Sequence, residues 1–572
     1  MKKLRISLAQ INPTVGDLDG NAGKIVEYIE MAREQGADIV AFPEMAVTGY
    51  PPEDLLLKPR FIKDNLAALD RIKGETRGIT AVVGYVEGER ELCNAAAVLH
   101  DGDLAAVYRK MFLPNYSVFD EERYFKKGRE PLIIVSNGVN VGIGICEDIW
   151  YPKGPARIQA AAGAEVIINI NASPFYCGKW GLRENMVSTR ASDSSVMIAY
   201  VNIVGGQDEL VFDGHSMLFD EEGRVVARGR PFEEELLTFD IDPEMVFHKR
   251  LRDPRWKMEE IRGVRWVELP DIRKKPKPEI RKREELPPPS VIEEVYKALV
   301  LGTRDYVSKN GFKKVIIALS GGVDSSLVSA IAADAIGREN VTACFMPSIY
   351  SSQASREDAE AVARNLGIRL LNIPIQGVFE CYLDTLREAF KGLEPDVTEE
   401  NLQARTRGNI IMALSNKFGW LVLTTGNKSE MGVGYATLYG DMAGGFAMIK
   451  DVPKMMVYEL CRYINSMKGR EIIPRRVLTK APTAELKPDQ TDQDVLPPYE
   501  LLDPLMKAYV EENKGFEEIV SMGFEEETVK RVIRMVDRAE YKRRQAPPGI
   551  KITPRAFGKD WRMPITNRYE SY

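Results

Sequence analysis

The stretch VIIALSGGVDSSLVSAIAAD, residues 315–334, decides the reading of this chain. Its first residues, Val315 to Leu319, form a short apolar, β-branched run of the kind that makes a buried strand. Ser320, Gly321 and Gly322 follow at once, then Asp324, Ser325 and Ser326, then an apolar-periodic helix. A glycine-rich strand-to-helix turn brings backbone N–H groups close to an anion, and the helix behind it adds the positive end of its dipole. Unlike G-x-x-x-x-G-K-[ST], this loop ends without a lysine. The plainer alternative is a tight turn in which Ser and Asp merely cap the helix. The order strand, loop, helix favours the phosphate-cradling reading.

Outward from that loop, the chain has 572 residues, 28% charged and 44% hydrophobic, an ordinary globular balance. One core rarely grows past about 250–300 residues, so at least two domains are expected. The net charge of −6 supplies no global field for nucleic acid. No run is apolar enough to span a bilayer and the N-terminus lacks the apolar core of a signal peptide, so neither nucleic acid nor membrane is an expected partner. Cys93, Cys146, Cys177, Cys344, Cys381 and Cys461 form no C-x-x-C pair, which points away from a cysteine zinc site and towards a reducing cytoplasm. His100, His215 and His248 all lie in hairpin- or loop-like contexts, poor settings for a Ser-His-Asp relay.

Residues 1–245 alternate strands and helices. Strands are expected over Leu4–Ile11, Ile39–Phe42, Thr80–Val86, Val139–Cys146, Glu165–Asn171 and Met197–Val204, with helices over 21–36 and 155–163. HSMLFDEEGRVVARG reads as a hairpin turning at Glu222-Gly223. Residues 246–290 are taken as a charged, proline-rich linker; the core of it, PDIRKKPKPEIRKREELPPPS, interleaves glutamates with its basic residues and has no aromatics, as a solvated connector does. Residues 291–572 form a second α/β pattern: a helix over 291–308, the strand at 315–319, and strands at Thr342–Met346, Arg369–Ile373 and Leu421–Thr424. Strands alternating with helices predict a parallel, doubly wound, Rossmann-like sheet whose ligand sits at the strand carboxyl ends, where Ser320 falls.

Three segments of the first half each place a reactive side chain after an apolar run. IVAFPEMAVTGYPPEDLL carries Glu44, AAVYRKMFLPNYSVFDEERYF carries Lys110, and VGIGICEDIW carries Cys146. A thiol is only slightly ionised at neutral pH, so it needs a base or a nearby cation. Attack on an amide builds negative charge on oxygen, which a lysine and a backbone N–H can meet. Together the segments resemble the nitrilase superfamily over nearly all of 1–245, which implies an α-β-β-α sandwich. The resemblance implies Glu44 as general base, Lys110 as oxyanion stabiliser and Cys146 as nucleophile. It also implies Glu121 as a carboxylate that orients Lys110, with Glu122 an adjacent alternative. Cys177 lacks any such partner pattern. By the same resemblance the substrate amide is that of glutamine, bound by Tyr116, Ser173 and Lys179, with Arg183 competing for the carboxylate.

SGGVDS resembles the pyrophosphate loop of the N-type ATP pyrophosphatases, which split ATP to AMP and pyrophosphate while adenylating an oxygen. Three later segments resemble the NAD synthetase branch: EENLQARTRGNIIMALSNKFGWLVLTTGNKSEMGVGYATLYGDMAGGFAMIKDVPK, TKAPTAELKPDQTDQDVLPPYELLD and RAEYKRRQAPPGIKI. With the first half, the whole chain resembles the family of glutamine-dependent NAD synthetases. The resemblance implies ATP held by Leu319, Ser320, Gly321, Gly322, Val323, Asp324, Ser325, Ser326 and Thr425. It implies Mg2+ on Asp324 and Glu430, hard oxygen donors that suit the ion. It implies deamido-NAD contacts from Asn401, Glu430, Tyr435, Ala436, Thr437, Leu438 and Lys542. Arg405 and Arg407 offer planar charge for carboxylate or phosphate, with a helix-surface role for one of them equally open. Lys454 and Lys487 are phosphate candidates, and 480–498 reads as a mobile lid.

The implied chemistry has two stages. A nicotinate carboxylate is adenylated, then ammonia from glutamine displaces AMP. Ammonium cannot attack, so a sheltered passage for ammonia is the physical reason to join two such sites in one chain. Two other readings stay open: the same ligase chemistry on a different acceptor, and an inert sandwich that only assembles an oligomer while ammonium feeds the ligase. The family forms homo-oligomers, so a homo-oligomer is expected. Residues 499–535 carry no readable chemistry.

Overall fold

The computed structural model describes residues 3–572 except 89–90, 255, 258–260, 262, 273–276, 281–286 and 288. The chain divides into two compact units, Met1–Gln207 with Val211–Pro288, and Asp208–Leu210 with Pro289–Tyr572.

The strands of the first unit are β1 (Leu4–Gln10), β2 (Ile39–Ala41), β3 (Thr80–Glu87), β4 (Cys93–His100), β5 (Asp103–Arg109), β6 (Leu132–Ser136), β7 (Val139–Ile145), β8 (Val166–Asn171), β9 (Met197–Asn202), β10 (Val204–Gln207), β11 (Leu210–Asp213), β12 (Met217–Phe219), β13 (Val225–Arg228), β14 (Glu235–Ile241) and β15 (Arg265–Glu268). They build a six-stranded sheet, β14-β1-β2-β3-β4-β5, a seven-stranded one, β13-β12-β9-β8-β7-β6-β15, and a two-stranded ribbon, β10-β11. Leu4, Ile6 and Leu8 of one sheet and Val141, Ile143 and Ile145 of the other share a single buried cluster. Helices Leu18–Glu34 and Pro59–Gly74 cover the outer face of the first sheet. Helices Pro155–Ala162 and Lys179–Ser194 cover that of the second. The result is the expected α-β-β-α sandwich. Strands covered on both faces read as near-continuous apolar runs, as in β8 and β9, whereas β1, LRISLAQ, is legible by the alternation of Leu4, Ile6 and Leu8 with polar residues.

Departures from the expected elements have local causes. The first helix starts at Leu18 because the Asp17 carboxylate accepts the Gly20 N–H as its cap. β7 stops at Ile145 because Cys146 turns to φ +42. β4 and β5, written CNAAAVLH and DLAAVYR, are rich in alanine and lack the β-branched signal of a strand. Helix Lys179–Ser194 is polar along much of its length and escapes an apolar periodicity test. The hairpin of β12 and β13 forms as expected, with Asp220 and Arg224 closing the turn around Glu222 and Gly223. Part of the 246–290 segment lies outside the described residues; the rest includes β15, paired in parallel with β6, and most of helix Pro243–Arg252.

The second unit is built on a parallel sheet of β16 (Val315–Ala318), β17 (Val341–Phe345), β18 (Arg369–Asn372) and β19 (Leu421–Leu423), in the order β18-β17-β16-β19. Successive strands run outward from β16 on one side and return on its other side. The strand order therefore reverses at the carboxyl end of β16, the position where such sheets bind ligands. A separate helical cluster of Leu502, Leu505, Val532, Ile533 and Val536 is closed by Phe557 and Trp561.

Gly84 in β3 lets the chain at Pro43–Met45 come close: a Cβ there would lie 2.3 Å from the Pro43 carbonyl oxygen and 2.5 Å from the Met45 nitrogen. We predict that Gly84→Ala costs about 1–3 kcal/mol and lowers hydrogen-exchange protection in β3 and residues 42–47. Unchanged protection would contradict this packing.

Candidate active sites

In the first unit, Glu44 follows β2, Lys110 follows β5, and Cys146 follows β7, so the sandwich itself brings them together. Lys110 Nζ donates to Glu44 Oε1 at 2.7 Å and to both oxygens of Glu121 at 2.8 and 2.9 Å. The ammonium is fully buried. Asn94 Nδ2 bridges Glu44 and Glu121, the Tyr50 hydroxyl donates to Glu121 at 3.0 Å, and Ala172 N–H donates to Glu44 Oε2 at 2.9 Å. Burial pulls the Lys110 pKa down, but the fields of Glu121 and Glu44 outweigh it and hold it well above its usual range. Burial raises Glu121 to about 7 against the opposing pull of Lys110.

Cys146 opens a 3-10 turn, Cys146–Ile149, in the left-handed region. Burial drives its thiol pKa well upward, Glu44 adds to that and Lys110 opposes it. Cys146 thus lies in the field of the Glu44 carboxylate, an arrangement that suits proton transfer from a thiol in step with attack. Asp148 holds the turn: it accepts from the Tyr108 hydroxyl at 2.7 Å and from the N–H groups of Met111, Phe112 and Ile145 at 3.0–3.1 Å.

Of the three side chains expected to bind glutamine, Tyr116 donates to both oxygens of Glu147, Ser173 N–H donates to Asn202, and Lys179 Nζ donates to the Pro174 carbonyl at 2.8 Å. Arg183 is fully buried and paired with Asp213. Sequence reasoning missed the buried carboxylate of Glu147, whose neighbours include Tyr116 and the field of Lys179. It also missed Tyr50, Asn94 and Asp148; the last lies two residues past Cys146, in the same CEDIW motif.

In the second unit, the Leu319–Ser325 loop, Thr425, Glu430 and Tyr435 line one cavity of about 280 Å³. Gly321 at φ +83 passes the Ser355 carbonyl so closely that a Cβ would lie 2.3 Å from it. Ser326 sits behind the loop, its hydroxyl donating to the Gly322 carbonyl. Residues 480–486 and Asp492 also line the cavity. Ala436 borders a smaller adjoining chamber with Thr425 and Glu430. Asn401, Thr437 and Lys542 brace the neighbouring loop: the Thr437 hydroxyl donates to Asn401, and Lys542 Nζ donates to the carbonyls of Gly434 and Ala436. Leu438 offers its carbonyl to Arg405, whereas Arg407 lines the main cavity. Lys487 pairs with Glu400. Asp441, absent from the sequence reading, lines both spaces, and burial raises its carboxyl to about 6.

Asp324, Glu430 and Lys454 meet at the cavity wall. Lys454 Nζ is 2.6 Å from Asp324 Oδ2 and 3.1 Å from Glu430 Oε1. Burial raises Glu430 to about 8, against the pull of Lys454. Among the described residues no three His, Cys, Asp or Glu side chains converge as a metal cage. Two carboxylates facing a phosphate-sized cavity nonetheless match what Mg2+ takes from protein when phosphates supply further ligands. Residues 499–535 support this wall: Asp503 accepts from the Ser429 hydroxyl and, at 2.9 Å, from Met455 N–H, the neighbours of Glu430 and Lys454.

Residues 5–250 match the carbon-nitrogen hydrolase family, and residues 295–546 match the NAD synthase family. The glutamine-dependent NAD(+) synthetase of Thermotoga maritima is 52% identical over 578 residues, covering 100% of both chains. That of Aquifex aeolicus is 51% identical, covering 99% of this chain and 100% of its own. The solved structure of the Acinetobacter baumannii glutamine-dependent NAD+ synthetase in complex with adenosine diphosphate aligns over 100% of both chains, with 40% identity and a TM-score of 0.76.

We predict that Asp148→Ala, which orphans three backbone N–H groups and a tyrosine hydroxyl, destabilises the first unit by about 3 kcal/mol. Urea melts read it; an unchanged midpoint would contradict the role given to Asp148.

Proposed function

We infer the division of labour from a premise: the chain belongs to the family of glutamine-dependent NAD(+) synthetases. It is an ATP-dependent ligase with a nitrilase-type glutaminase unit and an NAD synthase unit. The observation that carries our reading of the residues is the buried Glu44–Lys110–Glu121 cluster beside Cys146.

Cys146 Sγ attacks the amide carbon of glutamine while Glu44 takes the thiol proton. Lys110 and the Glu147 N–H receive the charge that forms on oxygen. The C–N bond breaks, the proton passes from Glu44 to the leaving nitrogen, and ammonia departs from a thioester. Glu44 then draws a proton from water, which hydrolyses the thioester and restores the thiol. Glu121 orients Lys110. Lys179 binds the α-carboxylate of glutamine in preference to Arg183, whose charge Asp213 already meets. The Glu147 carboxylate suits the α-ammonium, steadied by Tyr116.

In the second unit the nicotinate carboxylate of deamido-NAD attacks the α-phosphorus of ATP. The bond to the β-phosphate oxygen breaks and pyrophosphate leaves past the Leu319–Ser326 loop, whose N–H groups offset its charge. Asp324 and Glu430 would hold Mg2+, which when bound neutralises charge on the departing phosphates. Ammonia then adds to the acyl carbon, loses a proton and expels AMP, giving the carboxamide. Asn401, Glu430, Tyr435–Leu438 and Lys542 frame the deamido-NAD. We place the reaction in the cytoplasm, where a reducing milieu keeps the Cys146 thiol free.

The test is NAD formation from deamido-NAD, ATP and Mg2+ with glutamine or ammonium. Cys146→Ala should lose the glutamine-driven rate and keep the ammonium-driven one. Glu44→Gln should lower the glutamine-driven rate by about 10²–10⁴-fold. A Cys146→Ala protein that still used glutamine would remove Cys146 from its role. A wild type unable to make NAD from ammonium would overturn the acceptor assignment.

A further inference from the structure

The adenylation site has its own cation. Lys454 is 2% exposed, and its ammonium lies between Asp324 and Glu430, the two carboxylates assigned above to Mg2+. Asn427 engages the other oxygen of each: its Nδ2 donates to Asp324 Oδ1 at 2.8 Å and its N–H to Glu430 Oε2 at 3.3 Å. Lys454 thus holds the one oxygen of each carboxylate that Asn427 does not engage. A divalent ion bound by both, at about 2.1 Å, would share its ligands with an ammonium in a partly buried site. Such repulsion is poorly screened.

We propose that Lys454 and the divalent metal exchange on Asp324 and Glu430, with nucleotide phosphate as the anion that draws the ammonium away. The proposal rests on the reading that these carboxylates take the metal and the glycine-rich loop takes the phosphates. Three features suit the exchange. Lys454 and the Ser320–Ser325 loop line the same cavity, so phosphates bound there lie on the lysine's own wall. The base of the lysine is fixed, since Lys454 N–H donates to Ser429 Oγ at 2.9 Å and Asp503 anchors both Ser429 and Met455. Beyond that base the flexible four-carbon stem gives the ammonium a way to turn towards phosphate bound in the cavity. In contrast to Lys110, which is sealed among its partners, the carboxylates facing Lys454 are each 17% exposed and reachable from the cavity. The consequence is ordered loading: metal binds weakly alone and tightly with nucleotide, and the lysine keeps two carboxylates from repelling one another meanwhile.

Titration of the full-length protein with Mn2+, followed by electron paramagnetic resonance, tests this without turnover. Wild type should bind Mn2+ weakly alone and more tightly with α,β-methylene-ATP. Lys454→Gln should bind Mn2+ at least about tenfold more tightly than wild type in the absence of nucleotide, and adding Asp324→Asn should erase that gain. Lys454→Arg, which keeps the charge and protects the fold, should bind Mn2+ alone no better than wild type. Unchanged or weaker nucleotide-free binding in Lys454→Gln, or tighter binding in Lys454→Arg, overturns the exchange. If, in that case, Asp324→Asn and Glu430→Gln still abolish nucleotide-linked Mn2+ binding, the metal assignment survives alone. If those two variants bind Mn2+ with nucleotide as wild type does, the metal assignment itself falls and the exchange with it.

Discussion

A lysine ammonium buried between two carboxylates is the constraint on which both units depend. Lys110 stands between Glu44 and Glu121, and Lys454 between Asp324 and Glu430. Breaking a buried ion pair by removing one partner typically costs about 3–5 kcal/mol, a cost that weighs most on the fully enclosed Lys110 trio. The same charges serve the chemistry. On the reading proposed, the fixed ammonium of Lys110 is ready-made stabilisation for an oxyanion, with little reorganisation during reaction, while that of Lys454 meets phosphate by leaving its carboxylates. The trios differ in enclosure. Tyr50, Asn94 and the Ala172 N–H complete the first, so its charges stay put. The second opens on a cavity, and its lysine has somewhere to go.

The first site is also held under strain. Met45, Ser117 and Cys146 all have positive φ, at 48°, 54° and 42°. For residues with side chains such conformations cost on the order of 1–2 kcal/mol each. The first two adjoin Glu44 and Tyr116, and the third is Cys146 itself. Packing offsets the cost: Gly84 lets the Pro43–Met45 turn lie against β3, and Asp148 gathers four donors around the Cys146 turn. Precise placement of the reacting groups thus comes from the two sheets rather than from the loops alone.

What the sequence disclosed follows the same division. Glu44, Lys110, Cys146 and the SGGVDS loop each sit directly after a strand, and a local motif carries them. The doubly wound sheet was legible because its central strands, VIIA of β16 and LVL of β19, are buried apolar runs. β4 and β5 were not, since alanine-rich strands depend on neighbours instead of propensity. Partners distant in sequence left no local trace: Lys454 meets Asp324 across 130 residues, and Asp503 reaches Ser429 across 74. That is why 499–535 looked silent although its Asp503 buttresses the wall of Asp324, Glu430 and Lys454. Lys454 was readable as a phosphate-binding cation but not as the present partner of the two carboxylates.

On the reading proposed, the amide nitrogen of glutamine, released as ammonia when Cys146 takes the acyl group, becomes the nitrogen of the product carboxamide. The most direct measurement supplies glutamine labelled with nitrogen-15 at the amide, together with deamido-NAD and ATP, and reads the label in NAD by mass spectrometry. The account predicts labelled carboxamide from wild type, and none after alkylation of Cys146. Unlabelled NAD from wild type, or labelled NAD from the alkylated protein, would contradict it.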